Sequence, residues 1–413
     1  RYPEPADSVL YRNDAGRFLP EQRWERLGLV SGAVFSDLDG DGTPELILAA
    51  EWSPLRVFRR EGGRFEERTE ALGLASWKGW WNGVATGDLD GDGQLEIIAS
   101  NWGLNTLIRA SPAHPRRVRY GDLDDNGTID LVESRFEPVV GKEVPDLTFN
   151  WARAALPLLS QRVPDYTTYG LSSVVEIHGE GLAQLPTLEV NTLASTVFHR
   201  HGGRFEPAPL PPEAQFSPAF GIAVGDLNGD GFEDVFLAQN FSAVAPSEVR
   251  CDPSPGLCLE GDGRGGLTAL PPVRSGIRVL GDQRGCAVGD FDADGRVDLA
   301  IGQNSDVPRV FRNTAARPGL RIRLRGPDGN PDGVGAQVRL VAGTLQGPVR
   351  EVQAGAGYQS QNGAVQVMAL PGGVTPEVVQ VRWPGTSRFT PLRLPAGARE
   401  VVVGVDGSVR AGP

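Results

Sequence analysis

One acidic loop recurs five times in this sequence and constrains the fold more than any other feature. Each copy has oxygen-bearing side chains at positions 1, 3, 5 and 9 and glycine at position 6. Such a repeat is considered first because a missed repeat misassigns the whole fold. Positions 1, 3, 5, 7 and 9 are Asp37, Asp39, Asp41, Thr43 and Glu45 in loop 1; Asp88, Asp90, Asp92, Gln94 and Glu96 in loop 2; Asp122, Asp124, Asn126, Thr128 and Asp130 in loop 3; Asp226, Asn228, Asp230, Phe232 and Asp234 in loop 4; and Asp290, Asp292, Asp294, Arg296 and Asp298 in loop 5.

The spacing predicts that each loop binds one calcium ion, about five in all. Calcium prefers six to eight hard oxygen ligands at about 2.3–2.6 Å. Alternate side chains of a tight loop converge on one point, and glycine at position 6 permits the sharp turn. Position 7 shares no side-chain type among the copies, which favours a main-chain carbonyl ligand. The carboxylate at position 9 then closes the coordination shell.

The alternative is that Asp, Asn and Gly only form hairpin turns. A turn needs one or two such residues, whereas these loops keep four ligand positions in the same register five times. Their carboxylates would repel one another without a cation. Metal therefore explains much of the net charge of −12, and an acidic chain of this kind argues against a nucleic-acid or anionic-membrane partner.

Apolar β-forming residues flank the loops, as at 33–35 and 46–48 around loop 1. An EF-hand would close with Glu at position 12 between two helices, so these are strand–loop–strand sites. Short strands with one motif per unit predict an all-β fold of propeller blades. The long gap between loops 3 and 4 predicts an insertion at about 138–189, with a short helix within 150–159.

The loops resemble FG-GAP/VCBS repeats, which also form the propellers of integrin α-chains. The tail resembles the ASPIC/UnbV domain at 333–338, 354–361 and 381–385, and it departs from that pattern at 368–373. Together they look like the cartilage acidic protein family and its bacterial relatives. The resemblance implies a calcium-binding β-propeller over residues 1–316, seven-bladed in such proteins, and a small β-sandwich-like domain over 317–413.

The start of the chain is expected to be trimmed, because it opens with Arg1 and shows no signal peptide. Residues 11–18 resemble the outer strands of a blade whose inner strands lie upstream. The blades beyond the five visible loops would then lie upstream, or the insertion would supply one.

A candidate ligand face lies at the blade ends opposite the calcium loops. Aromatic, amide and arginine side chains gather at the ends of the second strands and the starts of the first, a mixture that suits protein or glycan ligands. Packing between blades is the alternative for any single Trp. The candidates are Glu51, Trp52, Trp80, Trp81, Asn82, Asn101, Trp102, Arg135, Phe136, Asn240, Phe241, Arg284, Gln303 and Asn304.

The remaining reactive residue types indicate little chemistry. Cys251 and Cys258 enclose a short loop, which favours a disulfide in an exported protein, and Cys286 is expected to be a buried apolar residue. His199 and His201 lack a third metal ligand, so exposed hairpin positions are expected. No nucleophile elbow, phosphate-binding loop or dinucleotide fingerprint is found.

These features together predict an exported, periplasmic or extracellular, calcium-binding module for adhesion, binding or structure, with protein or glycan ligands at the cell surface and no catalysis. One alternative is an accessory subunit of a membrane-anchored cell-envelope assembly. Another is an enzyme acting on polysaccharide, for which Glu51 is the clear carboxylate on the ligand face. No run of about 18 apolar residues exists, so no membrane span is expected.

Overall fold

Apolar residues on both sides of the acidic loops form buried antiparallel strand pairs. Around loop 1, Phe35 pairs with Leu46 and Val34 with Ile47, in keeping with the preference of β-branched and aromatic residues for strands. The structure is a computed structural model that describes residues 2–244, 250–355 and 357–412. Within these residues the regular structure is mostly β, which confirms the predicted fold class.

The elements before the insertion are strands β1 (Ala6–Asp14), β2 (Arg17–Ser36), β3 (Glu45–Pro54), β4 (Arg56–Glu61), β5 (Arg64–Glu67), β6 (Lys78–Trp80), β7 (Gly83–Gly87) and β8 (Glu96–Ser100). The insertion contains β9 (Arg116–Gly121), β10 (Asp130–Glu137), β11 (Lys142–Pro145), α1 (Phe149–Ala155), α2 (Leu159–Arg162), α3 (Tyr166–Leu171), α4 (Val174–His178), a 3-10 helix (Glu180–Gln184) and β12 (Thr187–Val190).

The chain then forms β13 (Thr196–His201), β14 (Arg204–Pro209), a 3-10 helix (Pro212–Gln215), β15 (Ala219–Gly225), β16 (Asp234–Gln239), β17 (Leu257–Gly261), β18 (Leu267–Leu270), α5 (Pro272–Ser275), β19 (Asp282–Gly289), β20 (Asp298–Asn304) and β21 (Arg309–Phe311). The tail contains β22 (Leu320–Arg325), β23 (Gln337–Ala342), β24 (Leu345–Gln346), β25 (Arg350–Glu351), β26 (Gln366–Met368), a 3-10 helix (Pro371–Gly373), β27 (Val378–Arg382), β28 (Thr390–Arg393), β29 (Glu400–Gly404) and β30 (Val409–Ala411).

Four blade-like sheets occur in the described residues. Blade 1 consists of β2 to β5, blade 2 of β7, β8, β13 and β14, blade 3 of β15 to β18, and blade 4 of β19 to β21. Their inner strands follow one another in space, because β7 lies beside both β2 and β15, and β15 lies beside β19. Each inner strand leads into an acidic loop, so the loops of the four blades emerge at the same end.

The insertion is wider than the sequence predicts, because it includes loop 3. Thr196 of β13 pairs directly with Ala99 of β8, so residues 101–195 all lie between the second and third strands of blade 2. Loop 3 therefore joins β9 to β10 inside the insertion and belongs to no blade. The predicted range of 138–189 is wrong at its start because β9 and β10 look like a blade hairpin in sequence. The helix expected within 150–159 is present as α1.

The first hairpin, β1 with β2, extends from the outer side of blade 1. Leu10 and Trp24 pack against the core of that blade, and the side-chain amide of Gln22 bonds the backbone of Phe65 at 2.8 Å in both directions. Tyr11 is 51% exposed and Phe18 71%. Residues 11–18 thus surround the turn of this hairpin, and its second strand continues into the inner strand of blade 1 instead of belonging to a blade with inner strands upstream.

The hydrophobic cores lie between adjacent blades, as aligned packing of twisted sheets requires. The first joins blades 1 and 2 and includes Ile47, Ile97 and Trp81. Corresponding clusters join blades 2 and 3 and blades 3 and 4. The tail has its own core between two sheets, with strand orders β26-β22-β29-β30 and β24-β23-β27-β28. We refer to these described residues from 317 onward as the tail domain.

Candidate metal and ligand sites

The five acidic loops share one backbone conformation. In every copy the glycine at position 6 donates its N–H to the position 1 carboxylate, at 2.8 to 3.1 Å. In every copy the backbone N–H of position 2 donates to the position 9 carboxylate, also at 2.8 to 3.1 Å. The side chains at positions 1 and 9 are therefore fixed on the same side of each loop.

The glycine at position 6 is required by its backbone angle. Its φ lies between +80° and +92° in the five loops, a region in which residues with a Cβ are disfavoured. Position 4 is also left-handed, and there two copies carry non-glycine residues, Asp125 at φ +57° and Ala293 at φ +63°. The sequence alone does not show this second constraint, because position 4 is glycine in only three of the five copies.

Carboxylate oxygens converge in four of the loops. Three carboxylates in each have oxygens within 4.8 Å of one another, in the sets Asp37, Asp39 and Asp41; Asp88, Asp90 and Glu96; Asp122, Asp124 and Asp130; and Asp290, Asp292 and Asp294. Loop 4 carries Asn228 at position 3, and its Nδ2 lies 2.9 Å from Asp230 Oδ2. The arrangement of ligand types is that of a hard-cation site.

Several of these carboxylates are buried close to one another, and a bound cation would offset both the cost of their burial and their mutual repulsion. Burial, as the largest cause, and neighbouring carboxylates together raise the pKa of Glu45, Glu96 and Asp234 to about 8. In loop 2, Asp88 Oδ1 and Glu96 Oε1 are buried and have no hydrogen-bond partner among the described residues. A buried polar atom without a partner costs about 1–3 kcal/mol. The residues therefore fit a bound calcium ion, and the position 7 carbonyl would complete the shell.

The tail domain covers the loops of all four blades. Arg382 Nη2 lies 3.1 Å from Asp37 of loop 1, and the backbone N–H of Val349 donates to Asp88 of loop 2 at 2.7 Å. At the other two blade loops, Arg350 pairs with Glu233 beside loop 4 at 2.7 Å, and Arg321 pairs with Asp290 of loop 5. These four loops thus lie at a domain interface.

Loop 3 is placed differently, since it lies at the tip of the β9–β10 hairpin in the insertion. Asp122 is exposed, and Asp124 and Asp130 are half-buried. Burial is the largest cause that raises the pKa of Asp130. Loop 3 is therefore the copy that solvent reaches most readily.

A row of aromatic rings crosses the opposite ends of the blades. Successive ring centroids are 5.1 to 6.4 Å apart along the order Trp52, Trp80, Trp102, Phe241, Phe220 and Tyr358. The Arg284 guanidinium lies 4.0 Å from the Phe220 ring centroid and 5.6 Å from that of Phe241. This aromatic row lies away from the tail-domain sheets, because it stands at the strand ends remote from the acidic loops.

Five of the predicted ligand residues are instead buried in the fold. Trp81 points away from its neighbour Trp80, because side chains alternate along an extended segment, and it packs edge-on against Phe198 in the core. Asn82, Asn101 and Asn240 donate from Nδ2 to backbone carbonyls and join neighbouring segments. Trp52 is buried and donates from Nε1 to the hydroxyl of Tyr2 at 2.9 Å.

The insertion and blade 4 hold four other candidates. Arg135 and Phe136 lie on β10 of the insertion, where Arg135 pairs with Asp146 at 2.8 Å and Phe136 stacks on His114 at 3.9 Å between centroids. Gln303 donates to the Val307 carbonyl, and Asn304 is exposed at the end of β20.

Glu51 remains on the ligand face as a half-buried carboxylate. Burial raises its pKa, and its charge acts on Tyr2 and Tyr358. Its backbone pairs with Trp80 across β3 and β6, which places it beside the aromatic row.

A segment of the tail domain passes along the inner strands of all four blades. We refer to residues 353–355 and 357–363 as the central segment. Gln353 donates to Thr86 of β7 at 2.7 Å, and the N–H of Gly363 donates to the Val288 carbonyl of β19 at 2.8 Å. Between them, Tyr358 reaches Phe220 of β15. The segment therefore connects the tail domain to the aromatic row.

The next residues to place are the three cysteines and the histidine pair on β13. No disulfide joins Cys251 to Cys258, so that prediction is wrong. Cys258 shares the core between blades 3 and 4 with Cys286, and burial raises its thiol pKa to about 12. His199 and His201 stand near each other on β13 with ring centroids 6.3 Å apart.

Sequence reasoning missed two kinds of residue at the domain interface. They are the buried glutamates Glu233 and Glu351 and the tail-domain arginines Arg321, Arg350 and Arg382. Glu351 bonds Ser36 and the backbone N–H of Asp37, and burial raises its pKa to about 7. The sequence does not single out the interface arginines, because 38 of the 40 basic residues in the chain are arginine and no motif marks these few. Only the three-dimensional docking of the tail domain shows which of them contact the loops.

Comparison with known families finds two models that match separate parts of the chain. A family model described as an FG-GAP-like repeat matches residues 37–99, which contain loops 1 and 2. A second, described as ASPIC and UnbV, matches residues 326–408 of the tail domain. These matches confirm the resemblance of both parts of the chain. A search of curated proteins finds no match.

Proposed function

We propose that this chain, with its FG-GAP-like repeat and its ASPIC and UnbV domain, is an exported calcium-binding module that binds protein or glycan ligands at the cell surface without catalysis. The observation that carries the proposal is the separation of the two faces. The acidic loops of the blades meet the tail domain at one end, while the aromatic row lies at the other. One face thus serves stability, which leaves the other for recognition.

Calcium would stabilise the propeller and the domain interface together. Sites with affinities of about 10⁻⁴–10⁻³ M fill outside the cell and remain empty in cytosol, which is why we propose an extracellular or periplasmic location. No helix within the described residues is long and apolar enough to cross a membrane. The loop carboxylates are assigned to metal, so the proposal gives them no catalytic role.

The test combines metal binding with ligand capture. Metal-stripped protein is titrated with calcium by calorimetry, and labelled protein is then applied to an array of extracellular proteins and cell-surface glycans, with calcium or with chelator. We expect about five calcium ions per chain and calcium-dependent capture. The absence of calcium uptake at millimolar concentration, or capture that Trp80→Ala leaves unchanged, would contradict the proposal.

A further inference from the structure

A cleft of about 720 Å³ opens next to the aromatic row, lined mainly by residues of the insertion and bordered by Val244 and Cys251 from the connection between β16 and β17. Trp102, which follows β8, forms one wall, and Leu131 and Leu147 of the insertion contribute apolar surface to it. Its volume lies within the range of about 300–1,000 Å³ that is typical of small-molecule sites. The cleft combines an aromatic side, where the row passes from Trp80 to Trp102, with a charged side.

Four charged side chains form that charged side in an alternating chain. Glu133 pairs with Arg116 at 2.6 Å, Arg116 with Asp146 at 3.0 Å, and Asp146 with Arg135 at 2.8 Å. The two middle side chains are only 11 and 12% exposed, whereas Glu133 is 32% and Arg135 36% exposed. The buried pair therefore holds the two outer groups in place, and these outer groups face the cleft.

The charges of this group cancel, which restricts the ligand. The two carboxylates and two guanidinium groups that line the cleft balance, and Glu137 adds a further carboxylate 3.7 Å from Arg135, so no net positive charge attracts a phosphate, a sulfate or a uronic acid. What the cleft offers is a fixed acceptor, Glu133, and a fixed donor, Arg135, in a cavity that the indole ring of Trp102 also lines. Hydrogen bonds to charged groups are stronger than those between neutral groups.

A pyranose ring matches these features. Its C–H face packs on an aromatic ring, while neighbouring hydroxyls at its edge both donate and accept hydrogen bonds. We propose that the cleft binds an uncharged saccharide stacked on Trp102, with adjacent hydroxyls bonded to Glu133 and Arg135. This inference rests on the proposed function and specifies its ligand class.

The experiment screens the calcium-loaded full chain against an array of neutral and acidic oligosaccharides and measures the Kd of the strongest ligand by calorimetry. Two variants probe the two sides of the cleft, Glu133→Gln and Trp102→Ala. Trp151→Ala is the matched control, because this exposed tryptophan of α1 does not line the cleft. We expect a neutral ligand, a Kd at least about tenfold weaker in both cleft variants, which corresponds to about 1.4 kcal/mol, and an unchanged Kd in the control.

Glu133→Gln keeps the side-chain shape, so its melting temperature shows whether a loss of binding reflects the site or the fold. Preference for an acidic saccharide, equal Kd values in wild type and Glu133→Gln, or capture of proteins with no saccharide bound would each overturn the inference. The last result would leave the proposed binding module standing. Failure to bind calcium would instead contradict the proposed function, whatever the saccharide result.

Discussion

Arg382 of the tail domain contacts Asp37 of loop 1 across the domain interface. Its Nη2 lies 3.1 Å from the carboxylate, and its Nη1 donates to the Gly40 carbonyl of the same loop at 2.8 Å. Both partners are largely buried. Arg382 therefore contacts both a side chain of loop 1, Asp37, and a backbone carbonyl of the same loop, that of Gly40.

Removal of Arg382 should weaken both the domain interface and the loop. Breaking a buried ion pair on one side costs about 3–5 kcal/mol, because the remaining charge is left without a partner. We expect Arg382→Met to lower the melting temperature, and to do so more in metal-free protein than with calcium, which would neutralise Asp37. Differential scanning calorimetry measures this effect. Arg393→Met, at an exposed arginine of the same domain, should melt like wild type, and equal melting of both variants would contradict the interpretation.

Loops 2 and 3 should differ in what their calcium does. Asp88→Asn and Asp122→Asn should each remove one calcium ion, measured by calorimetric titration. The first should lower the melting temperature in calcium by clearly more than the second, because loop 2 also holds the domain interface and loop 3 does not, and equal losses would contradict this difference. A ligand at one hundred times its Kd stabilises the native state by about 2.7 kcal/mol.

The same Asp88→Asn variant should have the opposite effect without metal. Burial is the main cause that raises the pKa of Asp88 to about 7, so the carboxylate destabilises the metal-free fold near neutral pH. An amide removes that charge and should raise the melting temperature in metal-stripped protein. A decrease under both conditions would indicate that Asp88 acts through packing and not through metal.

The contribution of the central segment to stability can be tested at two glycines. Both have a positive φ, but only one of them has room for a side chain. Gly357 has φ +72°, and a Cβ there would lie 1.6 Å from the Val84 carbonyl oxygen; Gly355 has φ +95° and open space around it. Gly355→Ala should cost about 1 kcal/mol from the backbone angle alone. Gly357→Ala should cost clearly more, because the segment must leave the inner strands. Denaturant unfolding measures both, and equal losses would show that the close contact is unimportant.

Stability should depend on pH in a direction set by the loop carboxylates. Glu45 and Glu96 have pKa values raised from 4.5 to about 8, with burial as the largest cause. Between these values the folded chain keeps protons that the unfolded chain releases, so the metal-free protein should lose stability as pH rises from about 4.5 to 8. Calcium replaces those protons and should reduce the slope. Thermal melting of metal-stripped and calcium-saturated protein from pH 5 to 9 checks this, and parallel curves would contradict it.

The local structure of the loops could be predicted from sequence, while their surroundings could not. Position 1, position 9 and the glycine at position 6 follow from short-range geometry, and the five copies repeat it. The position of loop 3 depends on which strand pairs with β8. Both the β9–β10 hairpin and the β13–β14 hairpin follow β8 and have apolar strands, and the sequence does not show that β13 is the one that pairs with it. Trp80 and Trp81 show the same limit, because alternation places them on opposite sides but does not say which side is buried.

The split of blade 2 has a consequence for how this protein diversifies. The chain leaves the blade after Ser100 and returns at Thr196, whose strand pairs with the one it left, and the backbone N–H of Asn101 is bonded to the hydroxyl of Ser195 at 3.1 Å. The two ends of the insertion are thus neighbours in one sheet. Residues 101–195 could therefore be replaced by a segment of different length or structure without a change in the strand pairing of blade 2.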